Sequence, residues 1–541
     1  MRLTRKIYFI VIVILVSDFC LSQNWVWKHI TDSVATKGYF GTKGIGTAIT
    51  RPGTRNIGVT WTDSLGNFWL FGGTGYASTS TSGELGDMWK YDPTTDVWTW
   101  MSGPNVRNQY GGYGIKGVAS ALNFPGTRHG SIVWKDKNDN FWLFGGVGYA
   151  QTGPVGGMND LWKYNPYTNQ WTWVNGPQFV GQPPFYGTIG VPSPSNIPGP
   201  RSDGTGWVDP VTGDLWMFGG NALGTSGGGP INDLWRYNIA SDRWTWMKGP
   251  TVTFQNGTFG TIGVSSPSNN PGSRYWCNSF VDANGNFWLF GGAGYASVPG
   301  SLGVLNDLWK YDLSSNNWTW MHGSNLVNPA GNFGTKGVSS PSNTPARKTR
   351  ATCWTDTLNN FWVYAGYDQN NAAWGDLWKY DPSINEWVWE YGSSSLGPPR
   401  VYGTLNVPSP SNDPGGRASA MSWTGKNGGL WLFGGTIGPP GVLNDLWEYT
   451  SPVISTGISE NTQEEMLVYP NPGSDQIAIS SAKIKINRCE VIDLSGKIVF
   501  EKDVYDFNTT ITIQNLRCGL YTLKIISSSG TQTRKLSIIN N

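Results

Sequence analysis

Charge is scarce in this chain. Asp, Glu, Lys and Arg make up 14% of 541 residues, and the formal net charge is +2. The usual charged share is about a quarter, so no basic footprint for nucleic acid is present. Histidine is scarcer still: His29, His129 and His322 are the whole complement. Five cysteines in a chain of this length exclude a disulfide-built fold. Apart from residues 7–16 there is no long apolar run, and that one is too short to cross a bilayer. Also missing are Gly-x-Ser-x-Gly, His-Glu-x-x-His and a phosphate loop, which removes the commonest signatures of hydrolases, zinc proteases and nucleotide enzymes.

What the chain has is tryptophan, glycine and repetition. Phe-Trp-Leu-Phe-Gly-Gly begins at Phe68, Phe141 and Phe287, with variants at Leu215, Phe361 and Leu430. The tryptophans of that string (Trp69, Trp142, Trp216, Trp288, Trp362, Trp431) are 73, 74, 72, 74 and 69 residues apart. Trp-x-Trp occurs at Trp25, Trp98, Trp171, Trp244, Trp318 and Trp387. It starts before the first Phe-Trp-Leu-Phe-Gly-Gly and is missing after the last, as expected if the N-terminus completes the unit that the C-terminus leaves unfinished. Each copy reads as four short runs of aromatic and β-branched residues, punctuated by Gly, Pro, Asn and Asp. Four strands in each of six copies predict an all-β, six-bladed β-propeller. Asn24 to Lys28 supplies the outer strand of the last blade.

The double glycine that closes the second strand, the tyrosine of the third (Tyr91, Tyr164, Tyr237, Tyr311, Tyr380, Tyr449) and the tryptophan of the fourth resemble the Kelch repeat. The period exceeds the usual Kelch length of about 50 residues. The resemblance implies fold more than activity, because Kelch propellers include binders and sugar-acting enzymes of isomerase and oxidase type. His29 and His322 fall at one position of different copies, so the three histidines do not converge. Neither a copper site nor any other metal or cofactor is expected.

The ends carry the export reading. Residues 1–22, with Arg2, Arg5 and Lys6 before the apolar run, read as a signal peptide. The propeller spans 23–450, a polar linker 451–466, and a small β-sandwich 467–541. Tyr469-Pro470-Asn471-Pro472, Asp493-Leu494-Ser495-Gly496-Lys497, Gly519-Leu520-Tyr521 and Lys535-Leu536 resemble the C-terminal type A sorting domain of the bacterial type IX secretion system. That resemblance implies contact with the secretion machinery through 467–541, and release or surface attachment outside the cell. Cys489 and Cys518 share this segment and are candidates for a disulfide. Cys277 and Cys353 fall in first strands, at different depths, and read as buried apolar thiols.

Two polar sets recur. Arg55, Arg128, Arg201, Arg274 and Arg417, with Arg347 and Lys348 in the fifth copy, begin the first strands; Asp87, Asp160, Asp233, Asp307, Asp376 and Asp445 begin the third. They are expected to form one ion pair per blade across the double glycine, the alternative being a basic rim that binds anions. Of 31 tryptophans, Trp276 and Trp374 alone fall outside the recurring slots. The long connections, which repeat Tyr/Phe-Gly-Thr and Ser-Pro-Ser-Asn, are expected to crowd one face. Trp374, Arg347, Lys348, Arg350 and Trp276 are the candidate binding residues. The resulting expectation is a monomeric exported binding module, without a membrane span once mature, whose long-loop face takes a glycan or surface protein. A sugar-modifying enzyme and a passive adhesion component are the alternatives.

Overall fold

A computed structural model describes residues 24–29, 34–438, 441–450, 467–469, 475–481, 484–493, 496–517, 519–527 and 530–538. The signal segment, the linker, Pro470-Asn471-Pro472 and Cys518 lie outside the described residues. Every regular element among those described is a β-strand, and none is a helix long and apolar enough to cross a membrane. The chain divides into two units, Met1–Ser451 and Pro452–Asn541.

Of the seven antiparallel sheets formed by the described residues of the first unit, six follow the sequence repeat. In the second, Ile132–Lys135 pairs with Phe141–Gly148, which pairs with Gly156–Asn165, which pairs with Gln170–Asn175. The aromatic strands are buried on both faces: Phe141, Trp142, Leu143 and Phe144 are each at most 2% exposed. In the sixth sheet the outer strand is Asn24–His29, antiparallel to Val442–Thr450 with Trp25 opposite Tyr449 and Trp27 opposite Trp447. The third copy differs, because Arg201–Ser202, Asn221–Gly224 and Gly227–Pro230 form a small sheet of their own.

Sheets join through aromatic rings of the first and second strands. Trp61 stacks on Phe141 at 5.1 Å, Trp207 on Phe287 at 5.1 Å, Phe280 on Phe361 at 4.3 Å, and Trp423 on Phe68 at 5.3 Å. Indole N–H groups add bonds to the neighbouring sheet: Trp134 to Trp216 O, Trp354 to Trp431 O and Trp423 to Trp69 O. These contacts run in chain order, and the sixth sheet contacts the first. Each ring buries a large apolar surface, so the joints between sheets are as much core as the sheets themselves.

The long connections after the fourth strands run along the outermost strands. The asparagine of each Ser-Pro-Ser-Asn motif is a clamp: Asn196 Nδ2 donates to Val191 O of its own loop and to Trp244 O of the strand. Asn269, Asn343 and Asn412 repeat this on Trp318, Trp387 and Trp25. Isolated bridges such as Ser193 to Trp244 extend the cover. An exposed strand edge is an aggregation template, and the repeated loop covers it.

The second unit has two sheets. One is Leu467–Tyr469, Gln476–Ser480 and Asn508–Thr512; the other is Ile498–Asp506, Ile486–Ile492, Gly519–Ser527 and Gly530–Ile538. Ile477, Ile479 and Ile511 of the first sheet share a core with Val491, Leu523 and Ile525 of the second. Cys489 is buried in that core.

Candidate functional site

The recurring arginines and aspartates form bidentate pairs. Arg55–Asp87, Arg128–Asp160, Arg201–Asp233 and Arg274–Asp307 meet at 2.7 Å, and Arg417–Asp445 at 2.8 Å. All these side chains are at most 1% exposed. The guanidinium also donates to the first glycine of the double glycine, as Arg128 Nη1 does to Gly145 O at 3.0 Å. A Cβ at Gly145 would lie 2.8 Å from Arg201 O of the next sheet, so glycine permits the close approach. Asp160 further accepts from Tyr113 Oη at 2.6 Å and Trp162 Nε1 at 2.7 Å. Burial works against the Asp445 carboxylate, but Arg417 and its other donors hold its pKa below the usual range. Each pair is buried and hydrogen-bonded inside the fold.

The fifth copy varies this theme with buried residues, which corrects two expected ligand contacts. Lys348 pairs with Asp376 and is buried. Trp374 is 7% exposed and packs against Phe333 at 6.2 Å, with the Lys348 ammonium 5.1 Å from its ring. It lies two residues before the aspartate, the slot filled by Leu85, Met158, Ile231, Leu305 and Leu443 elsewhere. Its larger ring occupies space that the shorter lysine leaves, so it is core and not a surface platform. Arg347 is committed too, through Gln369 and Pro329 O and an Asp368 carboxylate oxygen 3.7 Å away.

Trp276 and Arg350 belong elsewhere, and they meet. Immediately after the first residues of each repeat, six equivalent positions converge: Ile57, Gly130, Asp203, Trp276, Arg350 and Ser419. Their backbone amides close a ring. Gly130 N donates to Ile57 O, Asp203 N to Gly130 O, Trp276 N to Asp203 O, Arg350 N to Trp276 O, Ser419 N to Arg350 O, and Ile57 N to Ser419 O. All six have positive φ, from 53° at Ile57 to 67° at Gly130. This is uncommon for any residue but glycine, and for Ile57, Trp276 and Arg350 it is strained. The residues line a cavity of about 210 Å³ with Ser131, Cys277 and neighbouring small residues.

Beyond it a second cavity of about 490 Å³ is lined by the innermost strands, among them Thr60, Val133, Ser279, Cys353 and Ser422. The two cysteines therefore line cavities as well as filling slots. Burial pushes the Cys277 thiol up to about 12 and raises that of Cys353, so both are protonated at neutral pH.

The chemistry concentrates on one side of the ring. The Arg350 guanidinium lies 3.4 Å from the centroid of the Trp276 indole, a close cation–π stack. Its Nε is buried without a hydrogen-bond partner among the described residues. Asp203 accepts from Ser202 Oγ at 2.7 Å, and burial raises its pKa against the opposing influence of Ser202, His129, Trp276 and Arg350. His129 Nδ1 is 2.8 Å from Glu84 Oε2; burial opposes its charge, but that contact outweighs it and raises the imidazole pKa. Sequence reading placed Arg350 and Trp276 among the candidates and missed Asp203, Ser419 and His129. The available signal was positional: these residues share the spacing of the tryptophans, though not their identity. Among the described residues no group of His, Cys, Asp or Glu is arranged to hold a metal.

Residues 467–539 match the secretion system C-terminal sorting domain family. That domain marks the chain for export through the type IX system to the cell surface or beyond. No curated protein matches the chain. Among solved structures, one titled "Structure of YjhT" aligns over 75% of this chain and 96% of its own, at 13% identity and a TM-score of 0.41.

Proposed function

We propose that the first unit is a six-bladed, Kelch-like β-propeller closed by Asn24–His29. In this reading the exported chain uses it to bind an extracellular glycan or surface protein at the channel mouth. Six sheets of four or five strands whose contacts pass from the sixth to the first support the architecture. One observation carries the binding reading: six equivalent backbone positions are held in a strained ring, and their side chains differ in every copy. Repetition without a site would leave six similar residues there. Strain retained at a cavity is a functional signal, and the loops, committed to covering strand edges, leave the mouth as the place for a ligand.

The reading is tested by screening the full chain against glycan and surface-protein arrays, beside Arg350→Gln and Asp203→Asn. Ligands captured by the parent, lost in Arg350→Gln and captured with altered strength in Asp203→Asn support the mouth. Capture unchanged in both variants refutes it. A second reading, an enzyme acting on a sugar, draws on Asp203 and His129, two groups able to move protons beside one cavity. Turnover of a captured glycan, abolished in Asp203→Asn, is the result that favours it.

A further inference from the structure

We propose that the channel mouth recognises a carboxylate monoanion, seated on the outer edge of the Arg350 guanidinium. This inference rests on the mouth being the ligand site and names what enters it. Five other buried arginines of the unit each face an aspartate at 2.7–2.8 Å. Arg350 has no ion pair within 4.0 Å among the described residues, and its Nε is an unpartnered donor. A guanidinium presents five donors in a planar fork and cannot lose its proton near neutral pH. Here one face is fixed against Trp276, so the plane is pre-oriented and little side-chain freedom is lost on binding. An arginine held flat, half out of water and with no carboxylate in contact with its fork is arranged for a bidentate acceptor.

Charge and size narrow the class. One cation faces the cavity, and Asp203 stands beside it from the third copy. A dianion such as phosphate meets the Asp203 carboxyl with only Arg350 to offset it, whereas a monoanion matches the fork one to one. The groups around Asp203 are Ser202 on its own strand, His129 from the second sheet, Trp276 from the fourth and Arg350 from the fifth. A carboxylate beside Asp203 favours its protonated form, and His129 gains a proton in the same direction. Binding therefore takes up protons, and affinity rises as pH falls. The cavity of about 210 Å³ is below the range of drug-sized pockets, roughly 300–1,000 Å³. It admits an acidic headgroup and not a whole oligomer, with the rest of the ligand outside.

Calorimetric titration of the full chain with glucuronate, N-acetylglutamate, phosphate and glucose tests this. At least one carboxylate binds, and glucuronate against N-acetylglutamate distinguishes a saccharide source from a peptide one. Arg350→Gln weakens that probe about ten- to hundredfold, the span of one charge-assisted contact, with an unchanged melting temperature. Asp203→Asn tightens binding at pH 8 and flattens the pH dependence, which keeps the test decisive if Arg350→Gln misfolds. Phosphate or glucose binding as tightly as the carboxylates, in an Arg350-dependent way, overturns the ligand class and leaves the mouth standing as a site. Absence of carboxylate binding up to millimolar probe, with array capture indifferent to both variants, overturns both.

Discussion

Replacing Asp160 by asparagine keeps the shape of the second sheet's ion pair and removes one charge. In the native pair, Asp160 Oδ1 takes Arg128 Nη1 at 2.7 Å, while Oδ2 takes Arg128 Nη2 at 2.9 Å, Tyr113 Oη at 2.6 Å and Trp162 Nε1 at 2.7 Å. An amide satisfies one of these two sides and turns N–H groups toward donors on the other. Its better orientation keeps oxygen at the Oδ2 position and leaves Nη1 facing an N–H. Arg128 is 1% exposed and cannot neutralise itself, so a full positive charge stays buried without a partner. Breaking a buried pair in this way costs about 3–5 kcal/mol. With a denaturant slope near 3 kcal/mol/M, at the upper end for smaller domains, the urea midpoint falls by about 1 to 1.7 M. Every tryptophan lies in the first unit, so tryptophan fluorescence of the full chain follows that unit. A loss under about 1 kcal/mol with an unchanged slope refutes the assignment of these pairs as structural.

Other outcomes follow from the same geometry. Lys348→Arg alone crowds Trp374 and destabilises by about 1–3 kcal/mol, the usual cost of overpacking, whereas Lys348→Arg with Trp374→Leu restores the arrangement of the other copies and regains most of the loss; urea midpoints of both decide. Deleting residues 24–29 removes fully buried Trp25 and costs at least about 3–5 kcal/mol, the value for one aromatic truncated to alanine; a midpoint close to the parent's shows that the sixth sheet does not need this strand. Removing 467–541 leaves the first unit folded but retained inside a host with the type IX pathway, and normal appearance in the medium contradicts the sorting role. Cys277, with its thiol pushed up to about 12 by burial, reacts with a thiolate-selective reagent only after unfolding at pH 7; stoichiometric labelling of the native chain refutes that.

The sheets were legible in the sequence because their side chains repeat. Burial on both faces constrains the Phe-Trp-Leu-Phe strand in every copy, and the displaced Trp-x-Trp marked the strand that completes the sixth sheet. The ion pairs were legible for the same reason, since charges closed off from water tolerate few substitutes. Trp374 was misread because residue identity stood in for position: the slot two before the aspartate asks for apolar volume, and leucine, methionine, isoleucine and tryptophan all supply it. The mouth was the least legible. Its ring is made by backbone amides, which impose φ and not a side chain, so Ile57, Gly130, Asp203, Trp276, Arg350 and Ser419 share a conformation and nothing else.

Asn24–His29 pairs with Val442–Thr450, and this sets an order of events. A strand made early in synthesis is among the last of this unit to find its place. Until more than four hundred further residues have emerged, Trp25 and Trp27 have no sheet to join, and the edge they later occupy does not exist. Long-range pairing of this kind is slow and leaves aggregation-prone surface waiting. The final step of folding is therefore also a check on length: a chain broken off before residue 442 cannot complete its sixth sheet, and such a chain also lacks the sorting segment that takes the protein out of the cell.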